Sequence, residues 1–167
     1  MHAIRLAKIL CLLATGLNIA LVAFGNLTDY GTNFKFVTEV LELSDVPADS
    51  HIHWRALPSP VVHHAVYLAI IATEVLVAAL ILSGSMAMAF QLRAPPPLFQ
   101  KAKDKALLGL ALGFVLYEGG FVAIGGEWFG MWQAPDFDAV QSAFRTLITF
   151  LGLLIFVSLK DADPTEE

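Results

Sequence analysis

The sequence predicts an all-α membrane protein, a single domain built as an up-and-down bundle of four transmembrane helices. Of its 167 residues, 57% are hydrophobic and 15% are charged, whereas a soluble domain is nearer half apolar with about 25% charged. The mean hydropathy is +0.68. Long apolar stretches stand out, and none alternates strictly as the strands of a membrane barrel do. These observations favour helices that cross a bilayer.

The four predicted spans have lengths that suit transmembrane helices, which need about 20 mostly apolar residues. They cover residues 9–25, 61–90, 106–126 and 143–159. The second is longer than a crossing requires, so it can tilt or protrude. The first follows basic residues as the apolar part of a secretory signal peptide does, and we expect it to be a true span.

The basic residues predict the orientation of the spans. Most lie before the first span, in the loop 91–105 or after the fourth span. By the positive-inside rule, both termini and the loop 91–105 face the cytoplasm. The loops 26–60 and 127–142 then face outward, which in a bacterial inner membrane is the periplasm. The tryptophans of these outer loops suit the membrane interface; they are Trp54, Trp128 and Trp132.

The first outer loop is expected to contain a short helix. In NFKFVTEVLELSD, apolar residues recur at helical spacing, and Asn33 is a suitable N-cap. We expect this amphipathic helix to lie on the membrane surface or over the bundle.

Composition and motifs exclude several classes of function. The net charge of −5 gives no reason to expect nucleic acid, which attracts basic patches. The single cysteine, Cys11, permits no intrachain disulfide. The sequence contains no phosphate-binding loop, nucleotide fingerprint or nucleophile–base arrangement, so no catalytic residue is predicted.

Four segments on the predicted outer side carry a resemblance to a known family. They read NLTDYGTNFKFV, WRALPSP, YEGGFVAIGGEWFGMWQ and AFR. With them the chain resembles, over nearly its whole length, the bacterial family of predicted small integral membrane proteins classed as a domain of unknown function. The resemblance implies a four-helix protein of the bacterial inner membrane. It implies no reaction, ligand or catalytic residue.

Two acids inside predicted spans, Glu74 and Glu118, are the main functional candidates. A charged side chain at the bilayer centre costs about 2.5–3.5 kcal/mol on insertion scales and usually faces the bundle interior. At 1.5 Å per residue, Glu118 is expected roughly 12 Å inside the outer edge of its helix. Glu74 is expected in the outer half of the second span. His63, Tyr67 and Glu74 share one helix face by their spacing.

The sequence therefore predicts a polar pocket that opens outward and ends at paired carboxylates. Such a pocket suits a proton, a cation, or the head group of a quinone or lipid. Arg145 is expected to reach Glu118 or Glu127. The alternative is structural, with neutral acids that hydrogen-bond to an asparagine, to each other or to the backbone and so hold the bundle together. The candidate residues are Asn18, Tyr67, Glu74, Tyr117, Glu118, Glu127 and Arg145.

Four histidines on the outer side form a weaker candidate site for a metal ion. They are His51, His53, His63 and His64. In an extended chain the HIH motif directs both rings to one side, which suits copper or zinc with a nearby carboxylate. Against this, neighbouring helical residues such as His63 and His64 point about 100° apart. The sequence requires no cofactor, and quinone, lipid, copper and zinc stay open.

Three functional classes follow from these features. The first is a non-catalytic accessory or interaction subunit of a membrane assembly, or a homo-oligomer, with the aromatic outer loops as its contact surface. The second is a binding or transport-type protein that uses Glu74 and Glu118 for a proton or cation. The third is a redox subunit with a quinone or metal at the outer mouth. We expect the first class, with the pocket of the second as its functional feature.

Overall fold

Helices contain most of residues 2–161, the part of the protein that a computed structural model describes. No strand occurs within that range, so the predicted all-α class is confirmed. In chain order the helices are α1 (His2–Thr28), α2 (Tyr30–Glu42), α3 (Pro60–Phe90), α4 (Pro96–Ala102), α5 (Asp104–Phe114) and α6 (Val140–Ser158). Helix α5 continues directly into a π-helical segment, Val115–Trp128, called the π segment below.

Four helical units are long and apolar enough to cross a membrane. They are α1, α3, the continuous stretch Pro96–Trp128, and α6. Each overlaps one of the predicted spans: α1 begins at His2, well before residue 9, and α6 ends at Ser158, one residue before the predicted end. Large apolar side chains such as Leu108, which is 60% exposed, cover the outside of the bundle. An exposed apolar surface of this extent is typical of a protein that contacts lipid.

The spans pack in the order of the chain. Helix α1 lies against α3, α3 against α5, and α6 against both α5 and the π segment, while α1 and α6 touch less extensively. The shared core contains Leu12, Ile81, Leu110 and Phe150, all fully buried. Consecutive neighbours in an antiparallel arrangement give the predicted up-and-down bundle.

Helices α3 and α5 approach each other closely at small residues. A Cβ atom added to Gly84 would lie 2.8 Å from the Cα atom of Ala106. A Cβ atom added to Gly109 would lie 2.8 Å from the Ile81 side chain. Between membrane helices, packing replaces the hydrophobic effect as the main attraction, so small residues at a crossing strengthen it. This contact fixes α3, which carries the candidate site.

The two ends of the bundle differ. At the end called the terminal end, α1 begins and α6 finishes. At the opposite end, called the loop end, α2 and the segments 43–59 and 129–139 connect the spans. Which end faces the cytoplasm is still a prediction from the basic residues.

Helix α2 begins earlier than the sequence suggested. Its first residue is Tyr30, with Asp29 at the N-cap position. The predicted N-cap, Asn33, is therefore wrong: it lies inside the first turn, because α2 follows α1 with Asp29 alone between them. The Asn33 side chain is consequently free to face the bundle, where it contributes to the candidate site.

A small second core holds α2 over the loop end. Helix α2 is followed by Leu43 at the C-cap position, where the backbone adopts a left-handed conformation with φ of 54°. The buried Leu43 side chain packs with Leu41, Val46 and Phe129. Because a left-handed leucine is unfavourable by roughly 1–2 kcal/mol, this apolar contact has to offset that cost. Helix α2 is therefore held in place across the loop end of the bundle.

Candidate functional site

Glu74 is the most deeply buried acid of the candidate set. It is 2% exposed, and at 1.5 Å per residue it lies about 24 Å from the end of α3 at Phe90. Since the hydrocarbon core of a bilayer is about 30 Å thick, this places the carboxylate within the membrane and towards the loop end. Its Oε2 atom accepts a 2.7 Å hydrogen bond from Asn26 Nδ2.

Two asparagines link Glu74 to helix α2. Asn26 lies in the last turn of α1, and its Oδ1 atom accepts a 2.8 Å hydrogen bond from Asn33 Nδ2 on α2. The main-chain carbonyl of Asn26, which has no partner within the helix, accepts a 3.2 Å bond from the Tyr67 hydroxyl. The side chains of α1, α2 and α3 thus form one hydrogen-bonded chain that ends at the carboxylate.

Aromatic rings lie next to this series of hydrogen bonds. The Tyr30 and Tyr67 rings lie 4.7 Å apart between centroids. Phe34 stacks on His64 at 4.1 Å, and the Tyr30 hydroxyl lies 2.8 Å from His64 Nδ1. These contacts join α2 to the part of α3 beyond the end of α1.

A cavity of about 280 Å³, called the Glu74 cavity, lies beside the carboxylate. Its walls come from α1, α2, α3, the π segment and the start of α6. Asn26 is the one donor to Glu74 within residues 2–161, so Oε1 accepts no hydrogen bond there. The polar residues of the walls are Asn26, Asn33, Tyr67, Glu74, Tyr117 and Ser142.

The predicted helix face on α3 accounts for part of this arrangement. His63, Tyr67 and Glu74 are all buried, as residues on one inward face should be. Tyr117 reaches the cavity from the π segment, where its ring stacks on Phe121. Helices of the π type are rare and often lie at functional sites. Tyr67, Glu74 and Tyr117 are therefore the predicted residues that the structure brings together.

Glu118 lies outside the Glu74 cavity. It is half-buried in the π segment and is not among the residues of the cavity wall. Glu127 is exposed at the loop end, where its main-chain carbonyl lies 3.4 Å from Arg55 NH1. No ion pair within residues 2–161 contains Glu118, Glu127 or Arg145, so the expected pairing of Arg145 with either acid is not formed there.

Asn18 and Arg145 line a separate polar groove between α1 and α6. The groove has a volume of about 460 Å³ and also contains hydroxyl groups from Thr15, Thr146 and Thr149. It lies between α1 and α6, which touch less extensively than the other neighbouring spans. Ser142 lines both this groove and the Glu74 cavity, so the two spaces are neighbours. Both predicted residues thus flank the candidate site without contacting Glu74.

A third space, called the apolar cavity, adjoins the Glu74 cavity on the other side. It measures about 260 Å³ and lies between α2, α3 and the π segment. Apart from glycine, its lining is entirely aliphatic, aromatic or thioether. Four residues line both cavities: Phe36, Val37, Ile70 and Phe121.

The outer histidines contact different partners. His63 Nε2 lies 2.5 Å from the Leu57 carbonyl, and His53 Nε2 lies 3.0 Å from the Pro47 carbonyl. His64 is in the aromatic stack, and His51 is exposed. Across residues 2–161, no three histidine, cysteine, aspartate or glutamate side chains are grouped as a metal site requires. The structure therefore does not bring the four predicted ligands together.

A cluster of buried charged side chains lies at the terminal end and was not predicted from the sequence. Lys8 and Lys103 are buried, and their Nζ atoms lie 3.3 and 2.5 Å from the two carboxylate oxygens of Asp161. Both amines also donate to the Leu159 carbonyl. This burial is not evident from the sequence, because lysines near span ends usually extend towards water.

Arg5 completes that end of the bundle in a different way. Its NH1 group donates to the carbonyls of Leu92 and Ala94, at 3.0 and 2.7 Å. The guanidinium lies 4.5 Å from the centre of the Phe99 ring. Arg5 therefore ties the start of α1 to the turn after α3. The basic residues that predicted orientation are also structural contacts.

Comparison with known proteins identifies a family and no closer relative. A family model described as "Predicted small integral membrane protein (DUF2165)" matches residues 4–160. No curated protein and no solved structure matches the chain.

Proposed function

The chain belongs to the family of predicted small integral membrane proteins, and we propose that it is a non-catalytic accessory subunit of a bacterial inner-membrane assembly, with a binding site for a cationic or hydrogen-bond-donating group at Glu74. The observation that carries the binding site is a buried carboxylate with one donor, next to a cavity. The loop end faces outward in this proposal, as the basic residues predict.

The chemistry of the cavity favours a ligand that donates hydrogen bonds or carries positive charge. A buried carboxylate without a full set of partners is costly by several kcal/mol. Asn26 satisfies one oxygen, and Glu74 Oε1 is left for a ligand. The rings of Tyr67 and Tyr117 line the same space, and aromatic faces attract cations. A purely structural network would need no cavity beside the carboxylate.

A matched pair of variants tests the binding site. In lipid nanodiscs, ethylammonium is expected to raise the thermal stability of the wild type and not that of Glu74→Gln, which keeps the size of the side chain and removes its charge. At a concentration about ten times the dissociation constant, the stabilisation is about 1.4 kcal/mol. Ethanol, a neutral analogue of the same size, controls for solvent effects.

Glu118→Gln is the matched control for this experiment. The exchange is chemically identical and lies in a neighbouring span, outside the Glu74 cavity. The control variant is expected to respond to ethylammonium like the wild type. Equal stabilisation of all three proteins, or loss of the response in Glu118→Gln alone, would contradict the proposed site.

An exposed aromatic surface at the loop end supports the accessory role. Trp54 is 71% exposed and its ring lies 5.9 Å from that of Trp128. The Arg55 guanidinium lies 4.7 Å from the Trp128 ring. Tryptophan and arginine are the residues most enriched at the energetic centres of protein interfaces. The surface therefore offers a contact area for a partner subunit or a second copy of the chain.

The accessory role predicts a particle larger than one chain. Extraction of native membranes into polymer-bounded discs, followed by mass photometry and cross-linking, should give an assembly that dissociates in Trp54→Ala. Trp132→Ala is the control, because Trp132 is also exposed and lies outside this edge-to-face pair of rings. A lone wild-type chain under these conditions would argue against the role.

A further inference from the structure

We propose that the ligand of the Glu74 site is amphipathic, with a cationic head group at Glu74 and a single alkyl chain in the apolar cavity. The inference rests on the proposed function, since it names the ligand class of the same site. The inference goes beyond the proposed function because it assigns a second cavity, which has no polar side chain of its own, to the same ligand.

The two cavities adjoin each other and share part of their walls. Phe36 and Val37 on α2, Ile70 on α3 and Phe121 on the π segment form part of the wall of both. A molecule that contacts these four side chains can reach Glu74 on one side and the apolar cavity on the other. The order of chemistry along this path is charge, then aromatic rings, then aliphatic groups.

The apolar cavity suits an alkyl chain. Beyond the shared residues it is lined by side chains such as Leu41, Val66, Ile124 and Met131, which offer no strong hydrogen-bond donor or acceptor. Methionine and aliphatic residues adapt to flexible chains. A polar ligand filling this space would lose its hydrogen bonds to water without replacement.

The sizes of the cavities also favour one molecule across both. Each measures less than about 300 Å³, the lower limit of usual ligand pockets, which run to about 1,000 Å³. Their combined volume falls within that range. A combined volume of this size suits a head group and one chain, which favours a single-chain amphiphile over a phospholipid with two chains.

Chain length alone does not test this assignment, because the bilayer is as apolar as the cavity. The position of the bound alkyl chain does test the assignment. The probe is dodecylammonium with a photoreactive diazirine near the end of the chain, bound to the full-length protein in nanodiscs and located by peptide mass spectrometry. In the wild type we expect labelling of the apolar cavity at buried residues such as Phe129 and Met131.

Two adjacent glycines provide a matched pair of variants. Gly120 lines the apolar cavity, and a Cβ atom there would meet nothing closer than Leu116 Cδ1 at 3.8 Å. Gly119 does not line it, and its nearest contact would be Val115 Cγ1 at 4.0 Å. Gly120→Leu should fill the space and reduce labelling at least ten-fold, whereas Gly119→Leu should retain it.

The outcomes separate this inference from the proposed function. Labelling that falls at least ten-fold in both Glu74→Gln and Gly120→Leu, with Glu118→Gln and Gly119→Leu unaffected, supports the amphipathic ligand. If ethylammonium stabilises the wild type through Glu74 while the diazirine labels only lipid-facing residues, the inference is overturned and the proposed function stands. Equal labelling in all variants, with no effect of ethylammonium, overturns both. Circular dichroism of each variant checks that the helices are intact.

Discussion

Replacing Asp161 with asparagine is expected to lower the free energy of unfolding by about 3–5 kcal/mol, the usual cost of removing one partner of a buried ion pair. The Asp161 carboxylate is 2% exposed and contacts both Lys8 and Lys103. Without it, two buried ammonium groups keep only carbonyl and amide partners. Unfolding in mixed micelles with increasing dodecyl sulfate measures the change.

A control and a double variant make this expectation specific. Asp104→Asn removes the same charge from an exposed position at the start of α5 and should cost at most about 1 kcal/mol. Adding Lys103→Met to Asp161→Asn should recover part of the loss, because removing both partners of a buried pair is often nearly neutral. If Asp161→Asn is no more harmful than Asp104→Asn, the cluster does not stabilise the fold.

Replacing Asn26 with alanine is expected to destabilise the protein by about 2–3 kcal/mol. The change removes the donor to Glu74 and leaves the Asn33 amide without its acceptor. Hydrogen bonds to charged groups contribute about 1.5–3 kcal/mol, and Asn26 is the one donor to the buried Glu74 carboxylate within residues 2–161. The same micelle unfolding measurement applies.

Asn18→Ala on the same helix is the control for Asn26→Ala. Asn18 is exposed in the groove between α1 and α6, and its loss should change stability by less than about 0.5 kcal/mol. The sequence favoured Asn18 as the partner of the buried acids, so the comparison also separates the two assignments. A larger loss of stability in Asn18→Ala than in Asn26→Ala would favour Asn18 as the partner of the buried acids.

The fold could be predicted because its causes are local and cumulative. Composition and four apolar stretches of suitable length lead to an all-α bundle. Part of the site followed from the same periodicity, since His63, Tyr67 and Glu74 repeat on one face of α3. Amphipathic spacing also indicated a helix in the first long loop, although its start was misplaced.

The partners of Glu74 could not be predicted, because they depend on how separate helices meet. Asn26 and Asn33 reach the carboxylate because α2 folds back directly after α1. Glu118 was expected beside Glu74 on the assumption of α-helical turns. From Val115 onward the helix is of the π type, whose hydrogen bonds run over five residues, so faces projected from α-helical geometry shift. The burial of Lys103 likewise arises from tertiary packing.

Binding of a cation by the Glu74 carboxylate is tested most directly by infrared difference spectroscopy of the protein in nanodiscs, with and without ethylammonium. A change in a carboxyl band is expected in the wild type and in Glu118→Gln, and its absence is expected in Glu74→Gln. A band change that persists in Glu74→Gln would locate the cation at another acid and contradict the proposed site.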